Sequence, residues 1–175
     1  MTDPDTSGTL GAPPQPLSRL VQIAYVTNDL DRAREIFRTD YGIEKWLNLG
    51  EAAGRRTISI EVLDGTIIEI RGAVAYVGAV QFELIQPVVD AKRLYLDLLP
   101  VDGTFAIRFH HLGFNRESKE AVRELRRMLS DSHGVPLETR SETMPVFYAD
   151  SRDRLGHYLE YFSLPMEFDA LIPRN

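Results

Sequence analysis

A short apolar run with one polar side chain at its centre occurs twice in this chain. The first copy is Leu20-Val21-Gln22-Ile23-Ala24-Tyr25-Val26, and the second is Arg108-Phe109-His110-His111-Leu112-Gly113-Phe114, with His111 aligned on Gln22. Seven residues after Gln22 stands Asp29, and seven after His111 stands Ser118, both residue types that cap helix N-termini. Each opens a helix-period pattern that closes at a glycine, Gly42 or Gly134. Downstream the echo continues: Phe82-Glu83-Leu84-Ile85-Gln86-Pro87 matches Leu159-Glu160-Tyr161-Phe162, an apolar strand holding a single glutamate. A chain that repeats strand, helix and closing strands in this order is a duplicated unit. Each half begins with a lone amide or imidazole and ends with a lone carboxylate.

The punctuation between these landmarks sets the domain plan. Residues 1–17 are rich in Pro, Gly, Ser and Thr and carry little apolar bulk, so they are expected to be a disordered lead-in. A first βαβββ module is expected over 18–88, with Leu30, Ala33, Phe37 and Tyr41 on the buried stripe of its helix. Its strands are expected near 45–49, 56–63, 66–71 and 79–87, with a hairpin at Asp64-Gly65 between two β-branched runs. Residues 89–104 read as a connecting helix and loop, 105–165 as the second βαβββ module, and 166–175 as a tail. The second helix, 118–132, carries Ala121, Val122, Leu125, Met128 and Leu129 on one stripe. The first half is longer by about a dozen residues, which the hairpin accounts for. This order predicts an α+β fold, two tandem βαβββ modules forming one curved mixed sheet around one cleft.

Strand alternation then places the polar residues. Phe82 and Leu84 lie opposite Glu83, Leu159 and Tyr161 opposite Glu160, Ile23 and Tyr25 opposite Gln22, and Leu112 opposite His111. If the apolar faces pack under the helices, Gln22, Glu83, His111 and Glu160 converge on the concave side. Two converging carboxylates repel unless a cation lies between them. Two Glu, one neutral His and one Gln carry a formal charge of −2, which suits one divalent ion such as Zn, Ni, Co, Mn or Mg. The chain has no cysteine, so thiolate ligands and disulfides are excluded. His110 is expected to face away from the cleft, as a residue that supports the ligands from behind or simply packs, His157 to be a solvent-exposed polar group, and Tyr148, Tyr158 and Tyr161 to be core or rim aromatics or, less simply, to line a pocket.

The stretches QIAYVTNDLDRA (22–33), FELIQP (82–87), FHHLGF (109–114) and GHYLEYF (156–162) together resemble the vicinal oxygen chelate superfamily. That superfamily includes glyoxalase I, methylmalonyl-CoA epimerase, extradiol dioxygenases and bleomycin-resistance proteins. Its four metal positions fall on Gln22, Glu83, His111 and Glu160. The resemblance implies a divalent-metal-dependent isomerase, epimerase or lyase that removes a proton next to a carbonyl through a metal-stabilised enolate. It implies Glu160 as the general base, with Glu83 taking or returning the proton on the other face. The methylmalonyl-CoA epimerase type fits best. Val26 and Pro87 stand where glyoxalase I has an arginine and an asparagine, and Gln22 stands where extradiol dioxygenases have a histidine. Lactoylglutathione lyase, an extradiol-type dioxygenase and a ligand-sequestering binding protein are the alternatives.

The expected ligand is a small carbonyl compound, such as an acyl-CoA or other thioester. Arg123, Arg126 and Arg127 read as a solvated helix face or, less simply, a contact for a CoA phosphate. The net charge of −6 and the lack of a basic run argue against nucleic acid or an anionic membrane as partner. No apolar run approaches a membrane span and none resembles a signal-peptide core, so a cytoplasmic protein is expected. Leu94, Leu96, Leu98 and Leu99 in the connecting segment suggest an apolar face for a homodimer.

Overall fold

The computed structural model describes residues 19–129 and 134–175. The lead-in 1–17 and the expected helix end at 130–132 lie outside the described residues. The first module comprises β1 (Leu20–Thr27), α1 (Leu30–Tyr41), β2 (Leu47–Asn48), β3 (Ile58–Glu61), β4 (Ile67–Val77) and β5 (Val80–Asp90). The second comprises β6 (Ile107–Asn115), α2 (Lys119–Leu129), β7 (Leu137–Glu138), β8 (Val146–Asp150), a short α3 (Arg152–Leu155) and β9 (Tyr158–Phe162). A last turn of helix, α4 (Met166–Asp169), follows. All nine strands form one mixed sheet in the order β2-β4-β5-β1-β6-β9-β8-β7, with β3 on β4. The first strands of the two modules, β1 and β6, pair antiparallel at the centre, and each pairs parallel with the last strand of its own module. This is the duplicated α+β arrangement that the repeat predicts.

The helices form where their caps put them, and their stripes bury except at Tyr41 and Met128, which are exposed. Asp29 accepts a hydrogen bond from the Arg32 N–H at the start of α1, and Gly42 ends it at φ 73°. Such an N-cap contributes about 1 kcal/mol. Leu30, Ala33 and Phe37 bury against Leu84, Ala73 and Ala75 on the convex face of the sheet. Val122, Leu125 and Leu129 of α2 bury in the same way against Phe114, Leu159 and Tyr161. Each buried Leu or Phe of this kind contributes roughly 1.5–3 kcal/mol by leaving water. The apolar partners of Gln22, Glu83, His111 and Glu160 are thereby turned under the helices, and the four polar residues face the other way.

Two parts of the chain depart from the expectations, and the tail, on which the sequence is uninformative, takes a definite place. β4 runs on to Val77, well beyond the expected end at 71, because it pairs with β5 along nearly its full length. The expected connecting helix at 89–99 is absent. β5 continues to Asp90, whose carboxylate accepts the N–H groups of Leu94, Tyr95 and Leu96. Those three bonds hold the chain in a tight turn and leave only one 3₁₀ turn, Leu96–Leu98. Leu94 and Leu99 are buried in this chain's own core beside Tyr95 and Tyr148, so they offer no face to a second copy. The tail is ordered: Tyr76 donates to Asp169, and Arg174 stacks on the Tyr76 ring. No helix among the described residues is long and apolar enough to cross a membrane.

Candidate metal centre

Gln22 lies on β1, Glu83 on β5, His111 on β6 and Glu160 on β9, the four adjacent strands at the middle of the sheet. Their side chains meet on the concave face. His111 Nε2 lies 3.2 Å from Gln22 Oε1, 3.2 Å from Glu160 Oε2 and 3.5 Å from Glu83 Oε2. Ligand atoms of Glu83, His111 and Glu160 all fall within 4.8 Å of one another. Donors about 2.1 Å from one six-coordinate ion sit about 3–4 Å apart, so this spacing suits a single divalent cation.

The surroundings demand charge compensation. Both carboxylates and the imidazole are buried, and among the described residues no Lys or Arg pairs with either glutamate. Burial, and then the neighbouring Glu160 charge, raises the proton affinity of Glu83 well above the ordinary carboxylate value. Burial lifts Glu160 to about 8, against the downward pull of a hydrogen bond from Tyr148. His111 is driven down to about 3, chiefly by burial, so it stays neutral with a lone pair available. Oxygen-rich donors with one imidazole favour a hard or borderline ion.

Several further residues position this set. Gln22 Nε2 donates to Gln81 Oε1 at 2.6 Å, which turns the Gln22 carbonyl oxygen toward His111. The partnership follows from register, since Gln22 and Gln81 are direct neighbours across β1 and β5. Gly113 is Gln22's neighbour across β1 and β6, and a Cβ there would lie 2.8 Å from Gln22 Cβ. Only glycine leaves Gln22 its place. The hydroxyls of Tyr148 and Tyr95 are 3.2 Å apart, pairing the two tyrosines in the core beside Glu160.

His110 does not face away from the cleft as alternation predicts. The β1–β6 register steps from Ala24↔His111 to Tyr25↔Phe109, leaving His110 as an extra residue in a β-bulge. Its ring lies among Tyr95, Tyr148 and Tyr158, with Nδ1 2.7 Å from His111 Nδ1. His157 is half-buried against Phe109 rather than exposed. Of the three tyrosines, Tyr148 borders the cleft, whereas Tyr158 and Tyr161 belong to the core.

The centre opens into a cleft with two lobes that share Glu83 and Glu160. One, of about 380 Å³, is lined by Ile58, Ile60, Ile85, Leu137 and Tyr148, with Arg140 at its rim. The other, of about 240 Å³, is lined by Gln22, Gln81, Val74, Phe162 and Phe168. The first falls in the usual size range of small-molecule sites. Arg123 and Arg126 of α2 are paired with Glu142 and Glu138.

Solved structures with a similar fold include methylmalonyl-CoA epimerases. One, from Streptomyces coelicolor in complex with 2-nitronate-propionyl-CoA, superposes with a TM-score of 0.54 at 18% identity, covering 83% of this chain and 96% of that one. Another, in complex with methylmalonyl-CoA and an ammonium ion, gives 0.53 at 19% identity over 83% and 93% of the two chains. The epimerase of Mycobacterium tuberculosis gives 0.52 at 18% identity over 86% and 91%. The chain shares the fold of these epimerase structures. No protein-family model matches the sequence, and no curated protein matches it. The likeness to these solved structures therefore lies in the fold, not in overall sequence.

The raised proton affinities give a stability prediction for the metal-free protein. A carboxylate that holds its proton more tightly when folded favours the folded state at low pH and loses that contribution as pH rises toward its folded value. The depressed histidine works the opposite way, but only below its unfolded value of 6.5. Between pH 6.5 and about 8 the carboxylates alone remain. The melting temperature of chelator-treated protein should therefore fall over that interval, and zinc or cobalt should abolish the fall. Calorimetry across the range tests this; a flat profile without metal would mean that the two carboxylates are not in conflict.

Proposed function

We propose that this protein is a divalent-metal-dependent epimerase or isomerase that removes a proton from the carbon beside the carbonyl of an acyl thioester or a similar small carbonyl compound. The observation that carries this reading is the convergence of two buried carboxylates with one imidazole and one amide at the junction of an apolar cleft. Binding proteins have no need to bury two mutually repelling carboxylates at such a junction. The shared fold with enzymes bound to acyl-CoA ligands supports the thioester class.

Gln22, Glu83, His111 and Glu160 would hold the ion. When bound, a divalent cation supplies positive charge beside the carbonyl oxygen, lowering the cost of the enolate. The remaining work falls to the chain's own groups. The apolar walls formed by Ile58, Ile60, Ile85 and Leu137 seat the substrate's carbon skeleton and exclude water. A carboxylate takes the proton from carbon and a second carboxylate returns it to the opposite face, which inverts the centre.

The resemblance favours Glu160 as the first base, whereas the electrostatic surroundings favour Glu83. Tyr148 beside Glu160 pulls its proton affinity down, whereas burial and the Glu160 charge both raise that of Glu83. A carboxylate with the higher proton affinity is the stronger base toward a carbon acid. We therefore assign Glu83 to proton removal and Glu160 to the return.

Solvent exchange tests the reading. Protein loaded with zinc, cobalt or manganese is incubated in D₂O with methylmalonyl-CoA and with uncharged 2-methylacyl-CoA thioesters, and deuterium at the carbon next to the carbonyl is read by mass spectrometry. Incorporation into at least one thioester is expected. Metal-loaded protein that binds a thioester without exchange would mean a sequestering role and would overturn the enzymatic reading.

A further inference from the structure

We propose that His110 is a positioning residue that fixes the tautomer of His111 through a relay ending on a backbone carbonyl. The proposal rests on the metal centre above and concerns how this chain keeps one ligand ready. Three contacts define the relay. His110 Nε2 lies 3.2 Å from the Leu94 carbonyl oxygen, His110 Nδ1 lies 2.7 Å from His111 Nδ1, and His111 Nε2 faces the oxygens of Gln22, Glu83 and Glu160.

The proton positions follow in order. A carbonyl oxygen only accepts, so His110 Nε2 carries a hydrogen and donates it to Leu94. His110 is fully buried and touches no carboxylate among the described residues, so the ring is neutral and its Nδ1 bears a lone pair. Two ring nitrogens at 2.7 Å cannot both present lone pairs, so His111 Nδ1 carries the hydrogen that bridges them. A neutral His111 with its proton on Nδ1 has a bare Nε2 lone pair aimed at the three oxygens. That is the tautomer a metal ligand needs, because the hydrogen bond at one ring nitrogen dictates the state of the other.

The relay opposes a specific competitor. Without it, three oxygens within 3.5 Å of Nε2 would draw the proton onto Nε2, where it would occupy the ligand position. The β-bulge at His110 is what makes the relay possible, since regular alternation would send this ring to the convex face. The turn tied by Asp90 fixes the other end, because it sets the chain that carries the Leu94 carbonyl.

Histidine-labelled protein tests this by long-range ¹H–¹⁵N correlation of the ring nitrogens, with zinc alone as the ligand. In wild-type protein His111 should be protonated at Nδ1 and bare at Nε2, and His110 the reverse, with and without zinc. His110→Phe keeps ring bulk and removes the acceptor; zinc affinity should fall ~10–100-fold, the usual scale for loss of a ligand's supporting hydrogen bond, and the His111 proton should move to Nε2. His110→Asn returns an acceptor oxygen near the former Nδ1 and should restore affinity to within about threefold, with the Nδ1–H state of His111 regained. A wild-type spectrum with the His111 proton on Nε2 overturns the proposal, and it does so even if the variants fail to fold. Folded His110→Phe with wild-type zinc affinity, or folded His110→Asn as weak as His110→Phe, also overturns it. Wild-type protein that binds no zinc would instead refute the metal centre, while the ring-nitrogen spectrum of the metal-free protein still decides the relay.

Discussion

Glu83→Gln should lower the rate of substrate proton exchange by ~10²-fold or more, the usual scale for removing a general base, while zinc affinity changes by about tenfold or less. The two effects separate because glutamine keeps an oxygen at the ligand position but cannot accept the substrate's proton. Substrate affinity should change far less than turnover, since a proton acceptor acts mainly in the transition state. Glu160→Gln should slow formation of the inverted product more than it slows exchange, because Glu160 is placed to return the proton. Following deuterium incorporation and epimer formation in parallel distinguishes the two carboxylates. If Glu160→Gln alone abolishes exchange and Glu83→Gln does not, the lower proton affinity that Tyr148 gives Glu160 does not keep it from acting as the base, and the role implied by the family resemblance holds instead. If neither change slows exchange, these carboxylates are ligands only.

Much of this centre is legible in the sequence because burial makes polar residues conspicuous. Glu83 and Glu160 each interrupt an apolar strand, and a carboxylate at such a position is buried only with a partner or a cation. The repeat then brings in Gln22 and His111, whose separate positions would say nothing. What the sequence conceals depends on pairing between distant segments. The bulge at His110 exists only as an offset between β1 and β6, more than 80 residues apart in places, and no local pattern encodes it. Gln81 joins the site through its register opposite Gln22, at the first turns of β5 where the local pattern reads simply as a strand start. The segment after β5 misleads for a different reason. Its leucines suggest a helix, but three backbone N–H groups bound by one Asp90 carboxylate satisfy the chain in another way. Side-chain capture of backbone donors is the kind of competition that propensity alone does not resolve.

His111→Ala should have the largest effect on the metal centre. It removes the one nitrogen donor at the point where the three oxygens meet. Loss of this ligand should abolish stoichiometric zinc binding at micromolar concentration, read by elemental analysis after gel filtration, and should reduce exchange by ~10³-fold, as expected when several kcal/mol of charge stabilisation disappear. Stability offers an independent reading. A ligand present at a hundred times its dissociation constant stabilises the folded state by about 2.7 kcal/mol, so wild-type protein should melt several degrees higher with zinc than without. In His111→Ala that increment should vanish, whereas the metal-free variant keeps the pH-dependent loss of stability, because Glu83 and Glu160 still face each other without a cation. A variant that retained both zinc content and the zinc-induced shift would place the ion elsewhere in the chain. The alanine also leaves His110 Nδ1 without its donor in a dry pocket, so His111→Gln, which offers an amide in the same space, should recover metal-free stability without recovering full zinc affinity. That split separates the cost of an orphaned ring nitrogen from the loss of the ligand itself, and it follows only if the imidazole serves the ion on one side and its neighbour on the other.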